Sequence, residues 1–198
     1  DNYKIVLLGE KNMGKSTLMH RITSDNFYPN MDSTIGAAFT SYNYLSNDGK
    51  LTLLHFWDTA GSERFNSFLP LYIKDASMVL ICFFNDDVDN IIKHINNVNS
   101  TQDNVHIILV GTKIDLLNKD SGWGELYDVS EEKLSTSFPG IIKYAKDRNY
   151  PLFFTSSKSG QNINKLLEFI IFITKDIKIP ENPILNLHQI ETPKSCCY

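Results

Sequence analysis

Residues 9–16 constrain this chain most, because they carry the sequence of a loop that wraps a phosphate chain. They read Gly-Glu-Lys-Asn-Met-Gly-Lys-Ser, and they follow an apolar run at 3–8 that predicts a buried strand. A helix-compatible run at 15–23 comes next, so the motif stands in the strand–loop–helix context that it requires. Its glycines let backbone N–H groups turn toward a ligand, and the helix N-terminus adds donors and a favourable dipole. The segment therefore predicts a nucleoside triphosphate site.

Each polar residue of this loop has a predicted role. Lys15 is expected to place its cation on the β- and γ-phosphates, and Ser16 to offer its hydroxyl to Mg²⁺. Other contacts to the phosphates are predicted for the residues around them, namely Lys11, Asn12, Met13, Gly14 and Thr17. The loop by itself leaves ATPases, nucleotide kinases and GTPases open.

The rest of the chain alternates apolar runs with amphipathic stretches, which predicts an α/β fold with a six-stranded, mostly parallel sheet and helices on both faces. Asp-Gly within residues 47–49 predicts a hairpin turn between its second and third strands. A polar stretch at 118–124 is expected to be a surface loop. The predicted elements are strands 38–46, 50–57, 77–84, 105–110 and 151–155, and helices 66–74, 87–99, 130–148 (interrupted by Pro139 and Gly140) and 162–175.

Composition excludes several classes of protein. A length of 198 residues suits one domain with a full core, and a net charge of -4 argues against broad nucleic-acid binding, which needs a basic face. No apolar run approaches the ~20 residues that span a bilayer. The three cysteines do not make a disulfide framework, because Cys82 lies in an apolar run and the others are at positions 196 and 197. These features indicate a cytosolic, reducing setting.

Two further segments supply groups for a metal ion and a γ-phosphate. Residues 58–61 read Asp-Thr-Ala-Gly after a strand, where open α/β sheets bind ligands. Asp58 is therefore expected to hold Mg²⁺, usually through water, and Gly61 to bring its N–H to a γ-phosphate. Thr34 lies in a polar link after the first helix, and its hydroxyl is predicted to bind Mg²⁺ only while the γ-phosphate is present.

Residues 112–115, Thr-Lys-Ile-Asp, follow another strand and predict guanine recognition. Guanine presents a ring N–H beside an exocyclic NH₂, and one carboxylate accepts both, so Asp115 is the predicted base-reading residue. Lys113 would pack along the base and the phosphate loop, and the Thr112 hydroxyl would tether that loop. Asp115 could instead be a helix cap, although the joint pattern favours base reading. The next strand is followed by backbone groups for the guanine carbonyl oxygen, at Ser156, Ser157 and Lys158.

These segments together resemble the Ras-like small GTPases, and within them the Rab family. Residues 57–65 resemble the Rab switch II signature, and residues 33–39 resemble switch I of the endosomal Rab branch. The resemblance implies a GTP-binding domain over 1–175 and a flexible, hypervariable tail over 176–198. It also implies that Phe27 stacks on guanine, and that an aromatic triad presents the nucleotide state to effectors, formed by Phe39, Trp57 and Tyr72.

The resemblance further implies a monomeric GTPase that binds GDP or GTP with Mg²⁺ and acts as a switch in vesicle and endosomal trafficking. Its implied partners are an exchange factor, a GTPase-activating protein, effectors, a GDP-dissociation inhibitor and the prenylation machinery. Cys196 and Cys197 resemble a Rab Cys-Cys-X prenylation site, and two lipids anchor a protein stably where one does not. The implied location is the cytoplasmic face of endosomal membranes, in exchange with the cytosol.

The chain departs from the Rab pattern at positions that bear on catalysis. Ser62 stands where most relatives have the Gln that orients the attacking water, and Lys11 stands where they have a small residue. Hydrolysis is therefore predicted to be slow, with catalytic roles for Lys15, Thr34, Gly61 and Ser62. One alternative is a GTP-locked scaffold of the same fold. Another is a P-loop nucleotide kinase, although the Arg-rich lid that it needs is hard to build from three arginines.

One stretch is also longer than in typical Rab relatives, the one between Asp115 and Ser156. It contains Trp123, which is predicted either to anchor this stretch to the domain or to contact a partner.

Overall fold

The computed structural model describes residues 2–45, 49, 51–62, 67–121 and 128–174, and only the backbone of 118–121. The strands in chain order are β1 Asn2–Leu8, β2 Ala37–Leu45, β3 Leu51–Thr59, β4 Met78–Phe83, β5 His106–Gly111 and β6 Leu152–Phe154. The helices are α1 Lys15–Ser24, α2 Leu69–Ile73, α3 Val88–Thr101, α4 Glu131–Ser137, α5 Pro139–Arg148 and α6 Ile163–Thr174, and a 3₁₀ helix spans Ile114–Ser121.

Within the described residues the strands form one sheet in the order β2-β3-β1-β4-β5-β6. Every pairing is parallel except that of β2 with β3, which is antiparallel from Ala37 opposite Thr59 to Leu45 opposite Leu51. The predicted α/β class and hairpin are therefore confirmed, although turn residues 47 and 48 lie outside the described part. Because parallel strands end at a common edge, the segments after β1, β3, β5 and β6 converge there.

The central strand explains why the apolar runs are continuous rather than alternating. Ile5 and Leu7 pack with α1 and α6 on one face of the sheet, while Val6 and Leu8 pack with α2, α3 and α5 on the other. All four side chains are at most 1% exposed. A strand covered by helices on both faces must be apolar at every position, and this rigid sheet fixes the loops that follow its strand ends.

The predicted helix 130–148 is interrupted where the sequence indicated. α4 ends at Ser137 and α5 begins at Pro139, whose missing N–H costs nothing in the first turn of a helix. Asp86 accepts hydrogen bonds from the N–H groups of Gly140 and Ile141 at 2.9 and 2.8 Å, which satisfies free donors at this helix start.

The surface loop predicted at 118–124 is wrong over its first residues, since the 3₁₀ helix continues to Ser121. Leu117 packs against the apolar cluster below α3 and α5, and this contact holds the 3₁₀ helix on the domain. The polar residues that follow Leu117 in the sequence gave no indication of it. Residues 122–127, including Trp123, lie outside the described part. Among the helices that the structure describes, none is long and apolar enough to cross a lipid bilayer.

Candidate nucleotide-binding site

A cavity of about 730 Å³ opens at the edge of the sheet where the carboxyl ends of the parallel strands meet. Its walls come from the phosphate loop, the link between α1 and β2, the end of β3, and the segments after β5 and β6. The predicted residues that line it are Lys11, Asn12, Gly14, Lys15, Ser16, Thr17, Phe27, Thr34, Gly61, Ser62, Thr112, Lys113, Asp115, Ser157 and Lys158.

Lys15 is held at the floor of this cavity by the phosphate loop itself. Its Nζ donates to the carbonyl oxygens of Gly9 and Glu10 at 2.8 and 2.9 Å, and the residue is 6% exposed. Burial lowers the pKa of Lys15, and the nearby Asp58 and Glu10 carboxylates act against that shift. A cation that is already positioned and partly dehydrated binds phosphate oxygens more strongly than an exposed one.

Two residues after β5 fix the far side of the phosphate loop. The Thr112 hydroxyl donates to the Met13 carbonyl at 2.6 Å, and Lys113 Nζ donates to the Asn12 carbonyl at 2.6 Å. Gly14 has φ 76°, and a Cβ there would lie 3.4 Å from Lys113 Cε. The predicted packing of the Lys113 stem on the loop and the predicted tether by Thr112 are therefore both present.

Three side-chain oxygens converge beside the loop, from α1, the α1–β2 link and the end of β3. Ser16 Oγ donates to Asp58 Oδ2 at 2.5 Å, and Thr34 Oγ1 donates to the same oxygen at 2.9 Å. The two hydroxyl oxygens are 3.0 Å apart. The carboxylate is 1% exposed, and its Oδ1 has no hydrogen-bond partner among the described residues.

This donor set fits Mg²⁺. Magnesium prefers hard oxygen ligands at about 2.05 Å in octahedral geometry, which puts neighbouring ligands about 2.9 Å apart. The separations of Thr34 Oγ1 from Ser16 Oγ and from Asp58 Oδ2 are close to that length. A buried carboxylate with an unpartnered oxygen also needs a compensating charge or donor. The predicted metal residues are therefore brought together.

The other end of the cavity contains the predicted base reader. Asp115 lies in the first turn of the 3₁₀ helix after β5, and its Oδ1 accepts a hydrogen bond from Ser156 Oγ at 2.6 Å. Ser156 is fully buried and follows β6, so the two strand ends orient the carboxylate between them. Phe27 lines the same cavity from the α1–β2 link.

Gly61 lies against the phosphate loop in a way that only glycine allows. A Cβ on Gly61 would lie 2.5 Å from Glu10 C and Lys11 N, so the two backbones are in direct contact. Ser62 follows and lines the cavity. The Gly61 backbone therefore lies beside the phosphate loop, and the contact of its N–H with a γ-phosphate stays a prediction.

Besides Asp58, which lies behind the Ser16 and Thr34 hydroxyls, two predicted contact residues do not line the cavity. The Met13 side chain packs against the core beside α1, and this residue instead offers its carbonyl to Thr112. Ser156 is buried behind Asp115, and its hydroxyl orients the carboxylate. Both act through other site residues rather than at the cavity surface.

Sequence reasoning also missed residues of the cavity wall. One of them is Leu116, which could have been predicted because it is an apolar residue directly after the base-reading Asp115. The others lie in segments without periodicity or at a strand end, at Tyr28, Pro29, Met31, Asp32, Ser33, Ile35 and Thr59. A connection that crosses the mouth of a cavity lines it whatever its sequence pattern.

The three aromatic residues assigned to effector recognition form one cluster outside the cavity. Ring centroids are 5.2 Å apart for Phe39 and Trp57, and 6.5 Å apart for Trp57 and Tyr72. Phe39 is 53% exposed. The triad links β2, β3 and α2, which are the elements on either side of the Thr34 and Gly61 segments.

Comparison with known proteins identifies the family. A family model described as "Ras: Ras family" matches residues 4–176. The chain is 35% identical to GTP-binding protein YPT53 of Saccharomyces cerevisiae over 89% of this chain and 76% of that protein. It is 30% identical to GTP-binding protein ypt5 of Schizosaccharomyces pombe (85% and 76%), and 31% identical to "Probable Rab-related GTPase" of Acanthamoeba polyphaga mimivirus (90% and 79%). This chain is a Rab-family small GTPase.

Membership in the Rab family settles the class of reaction and the role. The protein is a GTPase, which converts GTP and water to GDP and phosphate, and it belongs to the switch proteins of vesicle trafficking. The nucleotide kinase considered from the phosphate loop alone is thereby excluded. The tail over 176–198, with Cys196 and Cys197, lies outside the described residues.

Proposed function

We propose that this Rab GTPase is a Mg²⁺-dependent switch whose nucleotide lies in the cavity of about 730 Å³, with its phosphates on residues 11–17 and its base against Asp115. The observation that carries the proposal is that one cavity joins the Lys15 cation, the hydroxyl oxygens of Ser16 and Thr34, and the Asp115 carboxylate. A nucleoside triphosphate needs these three groups in that order along its length. Asp58 lies behind the two hydroxyls and accepts a hydrogen bond from each.

The base end favours guanine over adenine. Ser156 donates to Asp115 Oδ1, which fixes the carboxylate plane and directs it along the base edge. A carboxylate in that position accepts the adjacent ring N–H and amino donors of guanine, and adenine has no such pair. Ser157, Lys158 and Phe27 line this end of the cavity. The backbone N–H groups of the first two would meet the guanine carbonyl oxygen, and Phe27 would stack on the ring.

At the phosphate end, Ser16, Thr34 and Asp58 would hold Mg²⁺. The ion, when bound, neutralises charge on the β- and γ-phosphates. Lys15 supports the same charge from the loop side, and the Gly61 N–H is available to a γ-phosphate oxygen.

The output of the switch is a change in the surface beside the cavity. Thr34 and Gly61 would contact the metal and the γ-phosphate only in the GTP state, and their segments continue into β2 and follow β3. Phe39 and Trp57 lie on those strands, and Tyr72 lies on α2 behind them. Ordering of the two segments would therefore set the aromatic triad that effectors recognise.

The test of nucleotide identity is calorimetry of the purified protein with GDP, GTP and ATP in the presence of Mg²⁺. Binding of both guanine nucleotides at submicromolar concentration, with ATP weaker by at least about 100-fold, is the expected result. Absence of binding to GDP and GTP at micromolar concentration would overturn the proposal.

We also propose that intrinsic hydrolysis is slow. Ser62 has a side chain too short to orient a water where a Gln would, and the exposed Lys11 stands at the mouth of the phosphate site. Single-turnover assays should show that Ser62→Gln hydrolyses GTP about 10-fold faster than the parent. A variant no faster than the parent would contradict this.

The same two residues favour a second candidate, a GTP-locked scaffold. Phosphate release in the presence of an activating extract separates the two. An activating partner supplies an Arg, and in some cases a Gln, so a slow switch should respond to it. A protein that releases no phosphate with or without the extract would be the scaffold.

Membrane attachment completes the proposal. Cys196 and Cys197 would carry geranylgeranyl groups, which requires the prenylation machinery and, for release from membranes, a GDP-dissociation inhibitor. Endosomal membranes are proposed because relatives include GTP-binding proteins YPT53 and ypt5, together with the switch I resemblance. Mass spectrometry of the protein from its native cell tests the lipids, and two bare thiols would refute them. Localisation of the tagged, full-length protein against compartment markers tests the membrane.

A further inference from the structure

The segment that begins with the base reader is tied to the β6–α6 loop at two points. At the first, Ser156 Oγ donates to Asp115 Oδ1 at 2.6 Å. At the second, the Gln161 side-chain amide pairs with the Val129 backbone: Oε1 accepts from the Val129 N–H at 3.0 Å, and Nε2 donates to the Val129 carbonyl at 3.1 Å. The two ties lie 14 residues apart on one segment and five apart on the other.

The pairing of Gln161 with Val129 is geometrically defined. A flipped amide would place its NH₂ against the Val129 N–H and its oxygen against the Val129 carbonyl, so the amide has one orientation. The Val129 side chain is 5% exposed and belongs to the same apolar cluster as Ile114 and Leu134. The Gln161 amide therefore bonds to the backbone of a residue whose position is fixed by its packing in the core.

Gln161 is also bonded to the residue that orients the base reader. Its backbone carbonyl accepts from the Ser156 N–H at 3.1 Å, and its backbone N–H donates to Ser159 Oγ at 3.3 Å. Ser159 N–H in turn donates to Ser156 Oγ at 3.1 Å. The position of the Ser156 hydroxyl therefore depends on a short network that ends at Gln161.

We propose that Gln161 is a positioning residue for guanine recognition. By clamping the β6–α6 loop to Val129, it holds Ser156 at the distance from which its hydroxyl orients Asp115. Gln161 itself does not line the nucleotide cavity, so it acts through Ser156. The inference rests on the proposed function, in which Asp115 reads guanine. It gives Val129, which lies 14 residues after Asp115, a role as the fixed partner of the β6–α6 loop.

The test measures the ratio of the dissociation constants for IDP and GDP, since hypoxanthine lacks the amino group that Asp115 would accept. Gln161→Met is similar in length and makes neither bond to Val129. We expect this variant to lower the preference for GDP over IDP by about 3- to 10-fold, and Gln161→Glu, which faces a carboxylate to the Val129 carbonyl, to lower it as well. If Gln161→Met does not fold, Gln161→Glu is judged by the same criteria.

The matched control is Gln102→Met. Gln102 Nε2 also donates to a backbone carbonyl, that of Ala76 at 2.9 Å, and it lies at the end of α3 away from the cavity. This control should lose thermal stability and keep the parent's IDP-to-GDP ratio. A Gln161→Met protein that loses stability but keeps that ratio would overturn the inference, because its role would then be merely structural.

A double-mutant cycle with Ser156→Ala tests the route. If Gln161 acts through Ser156, then Gln161→Met should change the ratio by less than about 2-fold in the Ser156→Ala background. An equal loss in both backgrounds would overturn the inference. A parent protein that shows no preference for GDP over IDP would instead overturn the proposed base recognition, and that result is distinguished by its appearance before any substitution.

Discussion

Two loops cover the phosphate end of the cavity, and they are held in opposite ways. The phosphate loop is fixed from outside by Thr112 and Lys113, which donate to its carbonyls, and by the backbone of Gly61. The α1–β2 link over residues 25–36 is largely exposed, with Ile35 at 86%. Among the residues that the structure describes, the Thr34 hydroxyl bonds to Ser16 and Asp58, which are themselves proposed metal ligands.

The difference suggests that the phosphate loop holds the nucleotide and that the α1–β2 link responds to whether a γ-phosphate is present. The groups that hold the phosphate loop come from the ends of β3 and β5, so we expect its geometry to be similar with GDP and with GTP bound. The link carries Thr34 to the same metal site without comparable support, and its next fixed point is Gly36, whose carbonyl accepts from Ala60 N–H at 2.8 Å. Affinity should therefore depend on the first loop, and discrimination between GTP and GDP on the second.

The largest expected effect comes from removing the cation of the fixed loop. Lys15→Met keeps the length of the side chain and abolishes its charged hydrogen bonds, so affinity for GDP and affinity for GTP should each fall by at least about 100-fold. Calorimetry with Mg²⁺ measures this. The exposed Lys146→Met on α5 is the control and should bind as the parent does. A loss below 10-fold, or a loss confined to GTP, would break the comparison.

Thr34→Ala tests the other half of the comparison, the role of the α1–β2 link. The hydroxyl should matter only when the γ-phosphate brings it to the metal, so affinity for a non-hydrolysable GTP analogue should fall about 10-fold while affinity for GDP falls less than about 2-fold. Titrations at fixed Mg²⁺ concentration measure the ratio. Ser24→Ala, which removes an exposed hydroxyl that donates to the His20 carbonyl at the end of α1, should leave the ratio unchanged. Equal losses for both nucleotides would mean that Thr34 contributes to binding in both states and does not distinguish GTP from GDP.

Thr112→Val tests one support of the fixed loop. The Met13 carbonyl would lose its donor, so the free energy of unfolding should fall by about 1 kcal/mol and GDP release should accelerate about 3-fold. Thr136→Val is matched, because the Thr136 hydroxyl also donates to a backbone carbonyl, that of Glu132 at 2.6 Å on α4. That control should change stability alone. A Thr112→Val protein with unchanged GDP release would show that the phosphate loop does not need this tether.

The same division explains how much could be predicted from the sequence. The strand–loop–helix motif and the alternation of apolar runs predict the sheet, and parallel strands that end at one edge bring Asp58, Thr112 and Asp115 together. Local patterns cannot show the ties that cross the chain. Tyr3 and Thr174 are 171 residues apart, and nothing near either one indicates that the Tyr3 hydroxyl would donate to the Thr174 carbonyl.

The link over residues 25–36 is the harder case, because it has no periodicity. Tyr28 and Met31 line the cavity through the path of the backbone, which is set by where α1 ends and β2 begins. The contact of Gln161 with Val129 could not be predicted for a different reason. The Gln161 side chain bonds to backbone groups, which every residue has, so the residue type at position 129 does not indicate the contact.

His94 lies beneath the fixed loop. It lies on the buried face of α3 with Ile91 and Ile95, is 8% exposed, and its Nε2 is 3.8 Å from Glu10 Oε1. Neither ring nitrogen has a hydrogen-bond partner among the described residues. Burial lowers the pKa of His94; Glu10 acts against that shift, and the Lys93 and Lys15 cations reinforce it.

The smallest expected effect follows from this lowered pKa. The folded protein keeps His94 neutral at a pH where the unfolded chain protonates it, so the contribution to stability is present above about pH 6.5 and is lost as the pH falls below it. When the pH is lowered from 7.5 to 5.5, the free energy of unfolding should therefore fall in the parent and fall less in His94→Phe. The difference between the two decreases should be at most about 1 kcal/mol, with GDP and Mg²⁺ held constant. The exposed His106→Asn should follow the parent. If His94→Phe follows it too, Glu10 compensates the ring fully on protonation, and the base of the phosphate loop is insensitive to pH.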